Sequence, residues 1–354
     1  MTPLVLFAAD AKKPNIVLVI ARGWRGLATP IAGDPDIQAP NLEKFAADAV
    51  VFPRAYCCDP RPAPARSAIL TGRYPHSNGV MDDSSPLRVE EVTIDGALRT
   101  AGFQTGDQLN FLKTAGAGPF FLNLSLAGKS SKPVDAAGLH LRENVPSASD
   151  AATRKALADR YGVYRALDEE FGRVLAALDG LKLSDNTIVV FTSDCGEQIG
   201  SHGITGDDTF YEESVRVPLA IRFPRVMPNG SKSGVLACHT DIMTTLLGFC
   251  GEPLPDGMEG NDLSPLLLSG KGERPESVYI EGQLGKKEEW RALVLGVDKI
   301  VVDAQGELTH LFNLADDPYE MTNLAHEPST QLKRDQLMAQ LRAERQRLLD
   351  FKRR

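Results

Sequence analysis

Cysteine is scarce and odd in number. Five thiols occur in 354 residues, two of them adjacent at Cys57 and Cys58, which excludes a disulfide framework as the source of stability. Positive charge is also short. Lys and Arg number 39 against 47 Asp and Glu, a formal net charge of −8. A general nucleic-acid binder needs the opposite balance to neutralise phosphates, so no nucleic-acid partner is expected. No run of ~18 apolar residues occurs, so no helix is expected to span a membrane. What remains is 42% hydrophobic and 24% charged. That composition excludes a disordered chain or a fibre. The length allows two domains, or one large domain with an appendage.

The N-terminus lacks part of an export signal. Residues 3–9 are apolar and lead to Ala9-Asp10-Ala11, a small-x-small cleavage pattern, followed by Lys12 and Lys13. The basic start and longer apolar region of a complete signal are missing. Residues 1–12 therefore read as the remnant of a signal peptide, which implies a periplasmic or secreted protein. The bland reading is a frayed end before the first strand of a cytoplasmic one.

Continuous apolar runs at 15–21 (NIVLVIA), 120–126 (FFLNLSL), 187–192 (TIVVFT) and 218–223 (PLAIRF) have the pattern of strands buried on both faces. Helical spacing is present at 41–51, 64–71, 93–100, 157–178 and 241–249. Pro64 lies in the first turn of one of these helices and Gly72 stops it. Strands alternating with helices predict an α/β fold with a mostly parallel central sheet flanked by helices. Chemistry in such sheets lies at the C-terminal strand ends, here after Ala21, Leu126 and Thr192. After about residue 270 the pattern changes to short antiparallel strands at 276–281, 291–297 and 299–303, with a turn at Gln305-Gly306. A terminal helix follows at 329–351, with Leu332, Leu337, Leu341 and Leu348 expected against the body. The division is thus 13–270 for the α/β domain and 271–354 for a C-terminal subdomain.

Several stretches together resemble the sulfatase family. They are KPNIVLVIA, APNLEKFAADAVVFPRAY, PARSAILTGRYPHSNGV, VTIDGALRTAGFQT, RALDEEFGRVLAALDGLKLSDNTIVVFTSDCGE, FYEESVRVPLAIRFP, DIMTTLLGFCGEPLPDGMEGNDLSPLL and HLFNLADDPYEMTNLA. They run in the family order from about residue 13 to 325. The resemblance implies an alkaline-phosphatase-like α/β fold with a small C-terminal antiparallel sheet and a terminal helix. It also implies the chemistry to look for. A formylglycine made from Cys or Ser in a C-x-P-x-R motif lies at a helix N-terminus, where the dipole favours negative charge. A calcium ion held by carboxylate and amide oxygens acts on the sulfate, and Lys and His neutralise the sulfuryl oxygens and protonate the leaving group.

This sequence departs from that pattern at nearly every chemical position. The motif's Pro and Arg are Pro64 and Arg66, but the nucleophile position is Pro62, which has neither thiol nor hydroxyl. The two metal-binding aspartates after the first strand are replaced by Arg22 and Gly23. Ser193-Asp194-Cys195 keeps the family's Asp but not the amide or imidazole after it. Asn110 and Leu112 stand where the family has Lys and His. The stretch 127–132 (AGKSSK) lacks the family's His, and Asp207 replaces a Lys. The resemblance therefore implies a sulfatase-fold protein that is catalytically silent, with no cofactor; calcium would be the ion if the site were functional. Its expected partner is a sulfated or carboxylated carbohydrate, with Arg66 and Arg22 as anion-binding groups. The alternative is an active sulfate-ester hydrolase with a non-standard site.

Arg22 and Asp194 end neighbouring strands, so the expectation is that Arg22 fills the cation site by pairing with Asp194. The competing reading sends Arg22 to solvent and leaves Asp194 capping the turn at Gly196. Cys58-Asp59-Pro60 is a displaced C-x-P triplet, more economically read with Cys57 as packed thiols. Cys195 has no partner at zinc spacing. His202 reads as a packing residue, His76 equally as a turn residue or a ligand, Asp207 and Asp208 as a solvated loop, and Glu212, Glu213 and Arg216 as scaffold ion pairs.

Overall fold

The structure, a computed structural model, describes residues 12–129, 132–146, 151–227 and 230–351. The expected export signal at 1–12 lies almost wholly outside that range. Asn15–Ala21 is an inner strand of a seven-stranded sheet, next to the central one. It pairs in parallel with Phe120–Leu126 on one side and Thr187–Ser193 on the other. Gln104–Gly106 extends the first side in parallel. On the second side Leu219–Arg222 runs antiparallel, followed by Val50–Val51 and Ser231–Lys232. The architecture is the α/β class expected, with one reversed strand.

The apolar runs explain the layering. All seven residues of Asn15–Ala21 are buried. Ile16, Leu18 and Ile20 face one core, and Val17, Val19 and Ala21 face the other. The second core is closed by helices Pro40–Ala47 and Ala151–Gly180 through Leu42, Phe45, Tyr164, Leu167 and Phe171. The first is closed by helices Pro62–Thr71, Ile94–Thr100 and Thr240–Cys250 and continues into the C-terminal sheet through Ile280, Ala292 and Ile300. No helix among the described residues is long and apolar enough to cross a membrane.

Several boundaries differ from the sequence reading. The first helix stops at Ala47, because Val50 and Val51, β-branched and buried, pair with Ile221 and Ala220 instead of continuing the turn. The helix expected from Pro64 begins at Pro62, and that expected over 157–178 spans Ala151–Gly180. The C-terminal sheet has four strands, not three: Ser277–Gly282, Trp290–Leu295, Asp298–Asp303 and Leu308–Asn313 form an antiparallel meander. The fourth was missed because Leu308–Asn313 places only Leu311 and Phe312 in the core. In the terminal helix Gln331–Phe351, Leu337, Leu341 and Leu348 pack inward, but Leu332 is 72% exposed. It lies five positions before Leu337, more than one helical turn, and so falls off the buried stripe.

Candidate functional site

The register brings Ala21, Leu126 and Ser193 level at one end of the sheet. The chain turns sharply after each strand. After Ser193 the turn is fixed by Gly196, whose N–H donates to Ser214 O at 2.7 Å. A Cβ at Gly196 would lie 1.9 Å from Glu213 O, so only glycine fits. After Ala21 the loop is pinned by Trp24, which is fully buried and stacked on Tyr164. Gly23 takes the left-handed conformation, φ 63°, and turns its N–H onto the site.

Asp194 sits at the centre, fully buried. Its Oδ1 accepts the Gly23 N–H at 2.7 Å and the Cys195 N–H at 3.0 Å. Its Oδ2 accepts Arg66 Nε at 3.0 Å and lies 2.9 Å from Arg66 Nη2. The expected partner, Arg22, is not there. Its backbone N–H bonds Leu126 O at 3.1 Å, and its side chain is exposed. Residue 22 follows the strand with its side chain exposed, whereas Arg66 reaches Asp194 from helix Pro62–Thr71. The competing reading holds for Arg22, which points to solvent, but not for Asp194, which caps Cys195 and not Gly196.

Helix Pro62–Thr71 carries the second half of the site. Pro62 and Pro64 occupy its first and third positions, so two of its first three residues have no N–H to offer an anion. The remaining one, on Ala63, donates to Asp83 Oδ1 at 2.8 Å. A carboxylate of the chain itself thus occupies the positive end of this helix. Ahead of the helix, Arg61 clamps Asp59 with Nε on Oδ1 at 2.9 Å and Nη2 on Oδ2 at 2.5 Å. Burial still pushes the Asp59 carboxyl up to about 7, against the opposing pull of Arg61.

Asp207 and Asp208 were expected in a solvated loop but are half-buried. Gln283, another residue with positive φ, donates to Asp208, whose carboxylate lies 4.0 Å from Arg61 Nε. Burial raises the Asp207 carboxyl, and Asp208, Asp83 and Asp194 raise it further. The structure therefore brings Gly23, Arg66 and Cys195 onto Asp194, with Asp207 near enough to feel its charge, Pro62 at the head of the helix that carries Arg66, and Arg22 exposed beyond the same strand end. It does not bring in Asn110 or Leu112. Asn110 is exposed on the short helix Leu109–Lys113, and Leu112 is buried in the second core. Asp83 was missed, because nothing in MDDSSPLRVEE marks which carboxylate folds back onto a helix twenty residues earlier.

The residues do not fit a calcium ion. Calcium takes roughly 6–8 oxygen ligands. Among the described residues at the family's metal positions only Asp194 carries a carboxylate, and both its oxygens are engaged by N–H donors. Cys195 and Cys58 are fully buried thiols, pushed well above their ordinary range by burial. Burial thus disfavours the thiolate that nucleophilic or soft-metal chemistry uses.

A separate group, His202, Glu213 and Glu320, places its ligand atoms within 4.8 Å of one another. It is already neutralised by the protein. Glu213 pairs with Arg142 at 2.8 Å and Asn144 at 2.8 Å, Glu320 with Lys299, and His202 Nε2 with Asn144 at 3.0 Å. His202 also stacks on Tyr211 at 3.7 Å, a packing role as expected. Glu212 and Arg216 are scaffold ion-pair residues too, joined at 3.6 Å. Lys299 and Glu320, the buried centre of that network, were not foreseen.

Fold and site geometry together define an alkaline-phosphatase-like α/β protein. A family model described as Sulfatase matches residues 14–117 and 107–252, and one described as N-sulphoglucosamine sulphohydrolase, C-terminal, matches 200–347. The chain belongs to the sulfatase family. It is 27% identical to an ulvan-active sulfatase of Formosa agariphila, over 94% of this chain and 81% of that one. It is 23% identical to an N-acetylglucosamine-6-O-sulfatase of Bacteroides thetaiotaomicron, over 75% and 73%. A structure solved with its substrate D-glucosamine-2-N,6-O-disulfate superposes with TM-score 0.81 at 20% identity, over 96% of this chain and 99% of that one. A phosphonate monoester hydrolase of Agrobacterium radiobacter superposes with TM-score 0.83 at 19% identity, over 95% and 96%. That likeness concerns the fold alone.

Proposed function

We propose that this sulfatase-family protein does not hydrolyse sulfate esters and serves as a binding protein for sulfated or carboxylated carbohydrate. The observation that carries the first part is Pro62 at the head of helix Pro62–Thr71, with the one adjacent free N–H given to Asp83. A position without thiol or hydroxyl supplies no nucleophile, and a helix end that holds an internal carboxylate is a poor seat for a second anion. The carbohydrate class rests on the relatives, which are named for activity on ulvan and N-acetylglucosamine-6-sulfate.

Of the two arginines first considered for the ligand's anionic group, Arg66 is engaged by Asp194, so the contact is assigned to Arg22, exposed just beyond the end of strand Asn15–Ala21. Export to the periplasm or medium, suggested by residues 1–12, belongs to the same proposal. The test is calorimetric titration with sulfated oligosaccharides, alongside ion chromatography for released sulfate. Saturable binding without sulfate release, weakened several-fold by Arg22→Glu, is the expected result. Sulfate release at a catalytic rate, or binding indifferent to Arg22, would overturn it.

A further inference from the structure

A small cavity lies between the short helix Pro75–Asn78, the C-terminal sheet and the terminal helix. None of its lining residues touches Asp194. Its volume is about 120 Å³, well above the roughly 10–15 Å³ that one water needs. The geometry points to an anion site here: the cavity takes a singly charged oxyanion, a carboxylate or a sulfate half-ester, held between Arg291 of the sheet and Arg345 of the terminal helix. This goes beyond the contact proposed for Arg22 and does not depend on it.

The strand register builds the floor. Glu281 lies directly opposite Arg291, and Tyr279 is two residues from Glu281 on the same face. Glu281 is 1% exposed. Its Oε1 accepts the His76 N–H at 3.1 Å, and its Oε2 is 2.8 Å from His76 Nδ1. Arg291 pairs with Glu289 through Nη2. Its Nη1 is buried and makes no hydrogen bond of normal geometry. The terminal helix supplies the roof. Arg345, Leu348 and Leu349 line the cavity, and their spacing sets them on one helix face. The Arg345 side chain makes no hydrogen bond or ion pair among the described residues. Burial pushes the Tyr279 hydroxyl up and Glu281 adds to the rise, while the Arg291 and Arg345 charges oppose it. Both guanidinium groups are therefore near that hydroxyl.

The charges select the ligand. Glu281 is matched by His76 and Glu289 by Arg291, which leaves Arg345 as the cation without a counter-ion among the lining residues and their partners. One oxyanion satisfies both deficits. It accepts from the buried Arg291 Nη1, and it neutralises Arg345, because a guanidinium fork matches the paired oxygens of a carboxylate or a sulfate group. A dianion such as inorganic phosphate would bring a second negative charge beside buried Glu281, where desolvation makes it costly. Leu348, 1% exposed, and Leu349 flank the cavity. Apolar walls exclude water and strengthen the ion pair.

The experiment is calorimetric titration of the full chain with sodium acetate, sodium methyl sulfate and sodium phosphate, with ionic strength held constant by sodium chloride. The expected result is saturable one-to-one binding of acetate or methyl sulfate, whichever binds naming the group as a carboxylate or a sulfate ester. Arg345→Gln should weaken it roughly fivefold or more, and so should Arg291→Lys, which keeps a charge without the fork. Arg345 is exposed and unpaired, so the ligand-free thermal midpoint of Arg345→Gln should stay within about 1 °C of wild type. Should Arg291→Lys not fold, Arg345→Gln decides alone. Binding of neither monoanion, tighter binding of phosphate, or binding equally strong in Arg345→Gln would overturn the inference. Arg22→Glu separates the two proposals. Binding that persists there and is lost in Arg345→Gln belongs to this cavity. Binding lost in Arg22→Glu and intact in Arg345→Gln belongs to the crevice, and refutes this inference alone.

Discussion

Replacing Lys299 by methionine should cost a large part of the molecule's stability. Lys299 lies in strand Asp298–Asp303 with its side chain 0% exposed. Its ammonium group is 3.0 Å from Glu212 Oε1, donates to Phe210 O at 2.9 Å and contacts the carboxylate of Glu320. It thereby ties the C-terminal sheet to the segment that follows the crevice loop. Methionine fills much of the volume, so the change tests charge. Glu212 would keep Arg216 at 3.6 Å and the Tyr56 hydroxyl at 3.3 Å. Glu320, also 0% exposed, would keep only the Glu212 N–H at 2.7 Å. One buried carboxylate is therefore left without its counter-charge, for which the expected loss is about 3–5 kcal/mol. That is a substantial share of the roughly 5–15 kcal/mol typical of a folded protein. Burial already pushes the Glu320 carboxyl up, so in the variant it should take up a proton. The deficit relative to wild type should then widen as pH rises from about 5 to 8. Urea unfolding at several pH values measures this. Adding Glu320→Gln to Lys299→Met should restore most of the loss. A loss below about 1 kcal/mol, or one flat with pH, would refute the reasoning.

Two further outcomes follow from the site. His239 is fully buried with Nε2 3.0 Å from Ser193 O, and burial lowers its pKa to about 3. Because the folded value lies below the unfolded one, its contribution is complete above about pH 6.5 and is lost as pH falls toward 3, reaching about 2 kcal/mol by pH 5. Asp59 and Asp241, raised by burial to about 7 and about 6, act in the opposite sense, losing stability as pH rises through those values. The comparison of wild type with His239→Gln isolates the histidine: the acid slope should be shallower in the variant, and identical slopes would refute the assignment. Asp83→Ala should lower stability by about 0.5–1 kcal/mol through loss of the carboxylate on the Ala63 N–H. Chemical denaturation checks this, and a gain in stability would contradict it.

The core was legible in the sequence because its signals are local. NIVLVIA and FFLNLSL are unbroken apolar runs, and a run buried on both faces has few other places to go than the middle of a sheet. Leu308–Asn313 escaped because its burial depends on a neighbouring strand more than on its own pattern. At the site the sequence shows residue types and what each lacks, as Pro62 lacks a thiol or hydroxyl. Which cation meets Asp194 was not legible. Arg22 and Arg66 are equally cationic on paper, and only the direction each backbone takes after the strand or along the helix selects Arg66. The acidic groups behave likewise. Asp83 reaches the helix across a turn, and Glu320 and Lys299 meet from segments whose separation in sequence hides their contact.

The most direct test of the central claim is a combined measurement on one preparation: release of 4-nitrophenol from its sulfate ester, with mass spectrometry of the peptide spanning residues 57–66. The account predicts no release above that of a Pro62→Gly control, and unmodified Cys57, Cys58 and Pro62. Turnover above that control, or a formylglycine mass at Cys58, would contradict it.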